Sequence, residues 1–153
     1  MGLRAMAPSD LPQVISIEAA SYPDPWSVKT FEDCLMAEAK GYRCHVLLMG
    51  DLVIGHAVLT VVLGEAELLN FCLAPEHRGL GRAGSYFDQL LEVLRQQGAQ
   101  KLFLEVRQSN TPARRLYASA GMHEVGVRTD YYPSEQGRED AILMAGAVDP
   151  GKN

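Results

Sequence analysis

The chain has 153 residues, a formal net charge of −5 and a mean hydropathy of −0.06, enough for one domain around a hydrophobic core. No apolar run approaches the ~20 residues of a membrane span, the opening MGLRAMAPSDLP lacks the apolar stretch of a secretory signal, and the acidic balance argues against a general affinity for nucleic acid, so a cytoplasmic protein with neither membrane nor nucleic-acid partner is expected. Cys34, Cys44 and Cys72 stand at irregular spacing with no CxxC or HxxxH pattern, so they read as reduced core thiols and no metal is expected.

Ser9-Asp10 followed by Pro12 predicts a helix start, with Leu11, Val14, Ile15 and Ile17 as its apolar stripe. The helix gives way at Tyr22-Pro23-Asp24-Pro25-Trp26, and Ser27 caps a second one that carries Phe31 and Leu35 and runs to Gly41. Strands follow over residues 44–49, 52–63 and 66–73, divided by turns at Gly50-Asp51 and Gly64-Glu65. After a glycine-rich loop, a long helix places Ala83, Phe87, Leu90, Leu91 and Leu94 on one face and ends at Gly98. Residues 101–106 form a strand. Thr111-Pro112 opens another helix, with Ala113, Leu116, Tyr117 and Ala120 at helical spacing and Gly121 as its stop. Two last strands, about 122–131 and 140–147, flank a turn over 133–137. This order predicts a single α/β domain over residues 1–148, with a mixed, mostly antiparallel sheet and helices on both faces, and a loose tail over 149–153.

The stretch LLNFCLAPEHRGLGRAGSY is a strand, a break at Pro75, a glycine loop with two arginines, and a helix start. Such a loop leaves backbone N–H groups free at the positive end of a helix dipole, a place for an anion and most plausibly a phosphate. In the strand KLFLEV, Leu102, Leu104 and Val106 share one face while Phe103 and Glu105 share the other. A carboxylate on a central strand is costly unless paired or useful. Glu105 is therefore either the partner of an arginine such as Arg107 or Arg128, or a general base strengthened by burial. Tyr117 is either a core residue or a proton donor, since its helix follows Glu105's strand and overlooks its end. An ordinary phenol, near ~10, is a fair acid for a departing thiolate near ~8.5. Asn110 is a helix cap or a contact to a ligand's polar arm.

The loop, the strand glutamate and SN…RRLYASAGM together resemble the GNAT family of acetyl-CoA-dependent N-acetyltransferases. Their loop motif, Gln/Arg-x-x-Gly-x-Gly/Ala, falls on Arg78, Gly81 and Ala83. A register starting at Glu76 would set a carboxylate against a pyrophosphate. The segments DPWSVKTF, LLNFCLAPEHRGLGRA, LEVRQSN, LYASAGM and YYPSEQGREDAILM, in that order, resemble the RimI subfamily, which acetylates the N-terminal alanine of a small-subunit ribosomal protein. The resemblance covers nearly the whole chain and implies the GNAT fold. It further implies that the backbone of Phe71, Cys72 and Leu73 pairs with the pantetheine arm of acetyl-CoA and that Gly79, Leu80, Gly81, Arg82, Ala83 and Gly84 cradle its pyrophosphate below Arg78. Asn110 becomes a cofactor contact, Glu105 the general base and Tyr117 the general acid. Ala83 in place of the second glycine, and Gly84-Ser85 in place of a bulkier pair, are local departures.

Acetyl transfer from a thioester needs a neutral amine. Deprotonating a lysine at neutral pH costs ~3.5 kcal/mol more than deprotonating an α-amine, so one glutamate suits an N-terminal substrate better. No nucleophile with an adjacent base is visible, which favours direct transfer. Cys72 reads as structural rather than as an acyl carrier. The oxyanion is assigned to a backbone N–H freed by a bulge around residues 71–73. Tyr131, Tyr132, Glu135, Glu139 and Asp140 form either a solvated hairpin or a rim for a peptide with early basic or aromatic residues. Trp26 walls the opposite side or anchors the core. A GNAT enzyme for small amines would have no reason to keep the PWS and YYP…GREDAI segments; a silent acyl-CoA-binding module would have lost Glu105 or Tyr117. No GxxxxGK[ST] motif is present.

Overall fold

The computed structural model describes residues 2–148, so the predicted tail over 149–153 lies outside the described residues. Seven strands form one sheet in the order β1-β2-β3-β4-β5-β7-β6: β1 Gly2–Ala5, β2 Tyr42–Met49, β3 Leu52–Val62, β4 Glu65–Leu73, β5 Lys101–Arg107, β6 His123–Ser134 and β7 Gly137–Ala147. All neighbours are antiparallel except β4 and β5. That parallel pair needs a crossover, which α3, Arg82–Gln96, supplies. The other helices are α1 Leu11–Ser21, α2 Val28–Leu35 and α4 Thr111–Ser119. No helix of the described residues is long and apolar enough to cross a membrane.

Alternation along the strands divides the core. Ala57, Leu59, Leu102, Leu104 and Val106 pack with Phe87, Leu90 and Leu94 of α3 and Tyr117 of α4. Val46 and Val58 pack with Leu11 and Val14 of α1 and Phe31 of α2 on the other face. Helices therefore cover both faces, as the order of elements predicted. Tyr86, fully buried on α3, ties that helix to β2 by donating its hydroxyl to the Leu48 carbonyl at 2.6 Å, so its polar end is not stranded in the core.

Several boundaries differ from the sequence expectation. β1 escaped it because four residues, two of them exposed, carry no readable alternation. The second helix stops at Leu35, and a separate 3-10 turn, Glu38–Lys40, leads to Gly41 at φ +100°. The last hairpin is tighter than expected: Pro133 and Ser134 remain in β6, paired with Arg138 and Gly137, leaving only Glu135 and Gln136 at the turn.

Two irregularities shape the sheet where β4 and β5 meet. Leu69 is an extra residue in β4, since Val58 pairs with Asn70 and Leu59 with Leu68. The β4–β5 ladder also ends at Leu68 and Leu104, although β4 runs to Leu73 and β5 to Arg107. The two strands part beyond that point, leaving one edge of β4 without a strand partner.

Candidate active site

The parted edge of β4 forms one wall of the site. The Cys72 carbonyl is turned toward Gly55 of β3, where a side chain would collide with it. Successive backbone groups alternate, so Phe71 and Leu73 face the gap instead. Their carbonyls are already engaged: Tyr22 donates its hydroxyl to Phe71 O at 2.8 Å, and Arg78 Nε donates to Leu73 O at 2.8 Å. The strand's free N–H groups on this edge are thus its available donors. The bulge falls at Leu69, not at residues 71–73 where the sequence reading located it.

Beyond the strand, Gly79 and Gly81 take φ of +77° and +75°, a left-handed backbone costly for a side chain. A Cβ at either would meet no atom within 4 Å, so these glycines serve the backbone path and open the space above it. Gly81 caps α3 without a side-chain hydrogen bond, and the first turn carries no acidic residue. The N–H groups from Gly81 through Ala83 and Gly84 therefore meet an uncapped, positive helix end. Arg82 bonds His77 Nδ1 at 2.8 Å, Arg78 reaches back to the strand, and Leu80 is exposed. A phosphate-bearing ligand fits this cradle.

On β5 the predicted alternation holds: Leu102, Leu104 and Val106 are buried, while Phe103 and Glu105 are only partly so. Of the two readings of Glu105, pairing with an arginine is the one seen. Its side chain keeps 21% exposure, and Arg128 Nε on β6 lies 3.1 Å from Oε1. The long arginine reaches across β7, where Ala141 sits in one row with Arg107 and Arg128. Tyr132 is close enough that burial first, then the Glu105 charge, push its phenol up to about 12.

Tyr117 reaches the site from the opposite face of β5. It is 6% exposed, its ring packs 5.3 Å from Phe87, and its hydroxyl has no hydrogen-bond partner among the described residues. Burial, then Tyr132, push its phenol well above the ordinary value, so it is a poorer acid than the sequence reading assumed and holds its proton firmly. Asn110 caps α4 by accepting the Ala113 N–H at 3.2 Å.

At the hairpin, Tyr131 and Tyr132 meet edge-on at 5.0 Å, and each lies against an arginine: Arg128 at 5.2 Å from the Tyr131 ring, Arg107 at 4.5 Å from that of Tyr132. Glu139 is engaged by Ser109 and Arg107, which hold it below the usual carboxylate value. Asp140 accepts the Asp130 N–H at 2.9 Å. Glu135 is exposed at the turn with no partner among the described residues. Trp26 packs 5.2 Å from Phe31 and borders the α1–α2 core, half-buried.

Beyond the predicted site residues, Glu18, His56 and Asn70 form a buried cluster on the β4 side. Glu18, 1% exposed, accepts from His56 Nε2 at 2.8 Å, from Asn70 Nδ2 at 3.1 Å and from the Trp26 N–H at 3.0 Å. Burial pushes its carboxyl up, but those three donors together outweigh burial and hold it below the ordinary value. Cys72 joins the cluster, so three metal-ligating side chains lie within 4.8 Å, although hydrogen bonds occupy both Glu18 oxygens. The thiol is pushed up chiefly by burial, which suits structure better than nucleophilic attack. One signal was legible: Glu18 continues the 11-14-15-18 spacing of α1's apolar stripe.

Residues 11–122 match the acetyltransferase (GNAT) family. The [ribosomal protein bS18]-alanine N-acetyltransferase of Escherichia coli strain K12 is 38% identical over 94% of this chain and 95% of the relative. A putative enzyme of the same name from Bacillus subtilis strain 168 is 33% identical over 93% of this chain and 92% of its own. The crystal structure of the ribosomal-protein-S18-alanine N-acetyltransferase from Escherichia coli superposes with a TM-score of 0.88 at 35% identity, covering 96% of this chain and 93% of that one. With a parted parallel strand pair, an uncapped glycine loop at a helix start and whole-length likeness to these enzymes, the chain belongs to the GNAT family of acetyltransferases.

Proposed function

We propose that this protein transfers the acetyl group of acetyl-CoA to the N-terminal α-amine of an alanine-starting small-subunit ribosomal protein, bS18 or its counterpart. The observation that carries this reading is the likeness, along nearly the full length of both chains, to enzymes named for that reaction.

Acetyl-CoA bound in the gap supplies an activated acetyl thioester. The backbone N–H groups of residues 79–84 bind its pyrophosphate at the α3 terminus, where the dipole favours negative charge. The free edge of β4 at Phe71 and Leu73 orients the pantetheine arm by strand-like pairing. The amide nitrogen of Asn110, whose oxygen is spent on the cap, contacts the same ligand. Glu105 accepts the proton of the terminal ammonium, directly or through a water. Tyr117 keeps its proton at the phenol oxygen and offers it as a hydrogen bond to the departing sulfur, a role its raised value suits better than early proton release. Trp26 and the Tyr131–Tyr132 pair flank the peptide's first residues, with Glu135 as the free carboxylate for a basic side chain.

The test is mass spectrometry after incubation with acetyl-CoA and a panel of peptides differing in their first residues. The expected result is one added acetyl group at the terminal amine of alanine-starting peptides, with lysine side chains and polyamines untouched. Modification of a small amine instead would move the enzyme to another GNAT specificity.

A further inference from the structure

Two arginines stand beside Glu105, and they are held very differently. Arg107 donates to Glu139 Oε1 at 3.0 Å and to Pro133 O at 2.7 Å while stacking on Tyr132. Its side chain is 19% exposed. Among the described residues Arg128 has one ionic contact, Nε to Glu105 Oε1 at 3.1 Å, and its side chain is 54% exposed. From the same position its guanidinium carbon also lies 5.2 Å from the Tyr131 ring centroid, a contact that does not depend on Glu105.

The backbone fixes Tyr131 beside this arginine. Regular β6–β7 pairing lapses between Arg128 and Tyr132, and Asp130 sits there at φ +54°, rare for a residue with a side chain. Asp140 accepts the Asp130 N–H, and Arg138 donates to Asp130 O at 2.8 Å and Tyr131 O at 3.1 Å. The bulge is pinned from both sides by hydrogen bonds that do not involve Glu105, and it sets Tyr131 next to Arg128.

Glu105 cannot take a proton from a guanidinium, which stays charged at any working pH. An incoming peptide brings a terminal ammonium of the same charge to the same oxygen. We propose that Arg128 is the resident counter-ion of Glu105 in the free enzyme and that the substrate's terminal ammonium displaces it, the guanidinium withdrawing onto Tyr131. Arg128 is then a positioning residue that sets affinity for a charged amino terminus. The proposal rests on the reading of Glu105 as the proton acceptor.

Titration calorimetry with an alanine-starting peptide and its desamino analogue, which lacks the ammonium, tests the exchange. Arg128→Met should bind the amino peptide about 1.5- to fivefold tighter, the range an exposed ion pair supports, with the analogue unchanged. KM should fall with it while kcat moves less. Arg128→Lys keeps the competing charge and should stay near the parent, so an equally tight Lys variant overturns the role of charge. Unchanged or weaker binding of the amino peptide to Arg128→Met overturns the exchange itself. Glu105→Gln separates the two ideas: surviving turnover refutes the acceptor reading, whereas lost turnover beside an unaltered Arg128→Met refutes only the exchange.

Discussion

Glu18 and Glu105 are both carboxylates at the parted end of the sheet, one on the β4 side and one on β5, and their surroundings assign them opposite work. Glu18 is sealed from water and receives three hydrogen bonds from three different segments: β3, β4 and the α1–α2 loop. Glu105 is partly open and meets one half-exposed guanidinium. A buried charge persists only where donors replace its water, so Glu18 fixes geometry. An exposed pair is worth little and breaks readily, so Glu105 is held only loosely. Burial with both oxygens engaged makes Glu18 a fixed part of the fold, and partial exposure with a replaceable partner leaves Glu105 free to exchange it.

The largest expected effect attacks the exposed member. Glu105→Gln keeps shape and removes the basic oxygen, so turnover should fall ~10²- to 10⁴-fold with folding intact. Steady-state kinetics beside a thermal melt checks it, and a loss of stability equal to that of a core mutation would erase the contrast with Glu18. Glu18→Ala should do the reverse. Its three donors lose their acceptor, and the expected cost is about 3–5 kcal/mol of stability by denaturant unfolding.

Tyr117 sharpens the comparison, being buried like Glu18 but without a partner for its hydroxyl among the described residues. Tyr117→Phe should change stability by less than ~1 kcal/mol while slowing turnover, and the deficit should shrink with an acetyl donor whose thiol is more acidic. A Phe variant as fast as the parent would return Tyr117 to the core alone.

The smallest effect lies in acid. The folded values of Glu18 and of Asp10, which is lowered chiefly by the Arg4 hydrogen bond, lie below those of the unfolded chain. Their contribution is therefore complete above the unfolded carboxylate range near ~4 and is lost as pH falls through the depressed folded values. Melting temperature should decline between about pH 5 and 3, and less steeply in Glu18→Gln. An equal decline in both proteins would show that Glu18 contributes no such linkage.

The local sequence determined most of the elements. Ser27 and Asn110 cap helices as their residue types suggest, Gly41 and Gly98 take left-handed backbone at helix ends, and the alternation of KLFLEV sets Glu105 on the less buried face. It also carried the family, because the loop, the strand glutamate and the GREDAI segment are contiguous words whose order survives in one dimension. Which arginine meets Glu105 was open between Arg107 and Arg128, and only the β5-β7-β6 order decided it, by bringing a side chain 23 positions away across an intervening strand. The Glu18 cluster likewise joins residues 38 and 52 positions apart. Capping, turns and alternation depend on neighbours in the chain and are written there. The state of a carboxylate depends on which donors and how much water surround it, and those are fixed only when the sheet has closed and the helices have packed on its two faces.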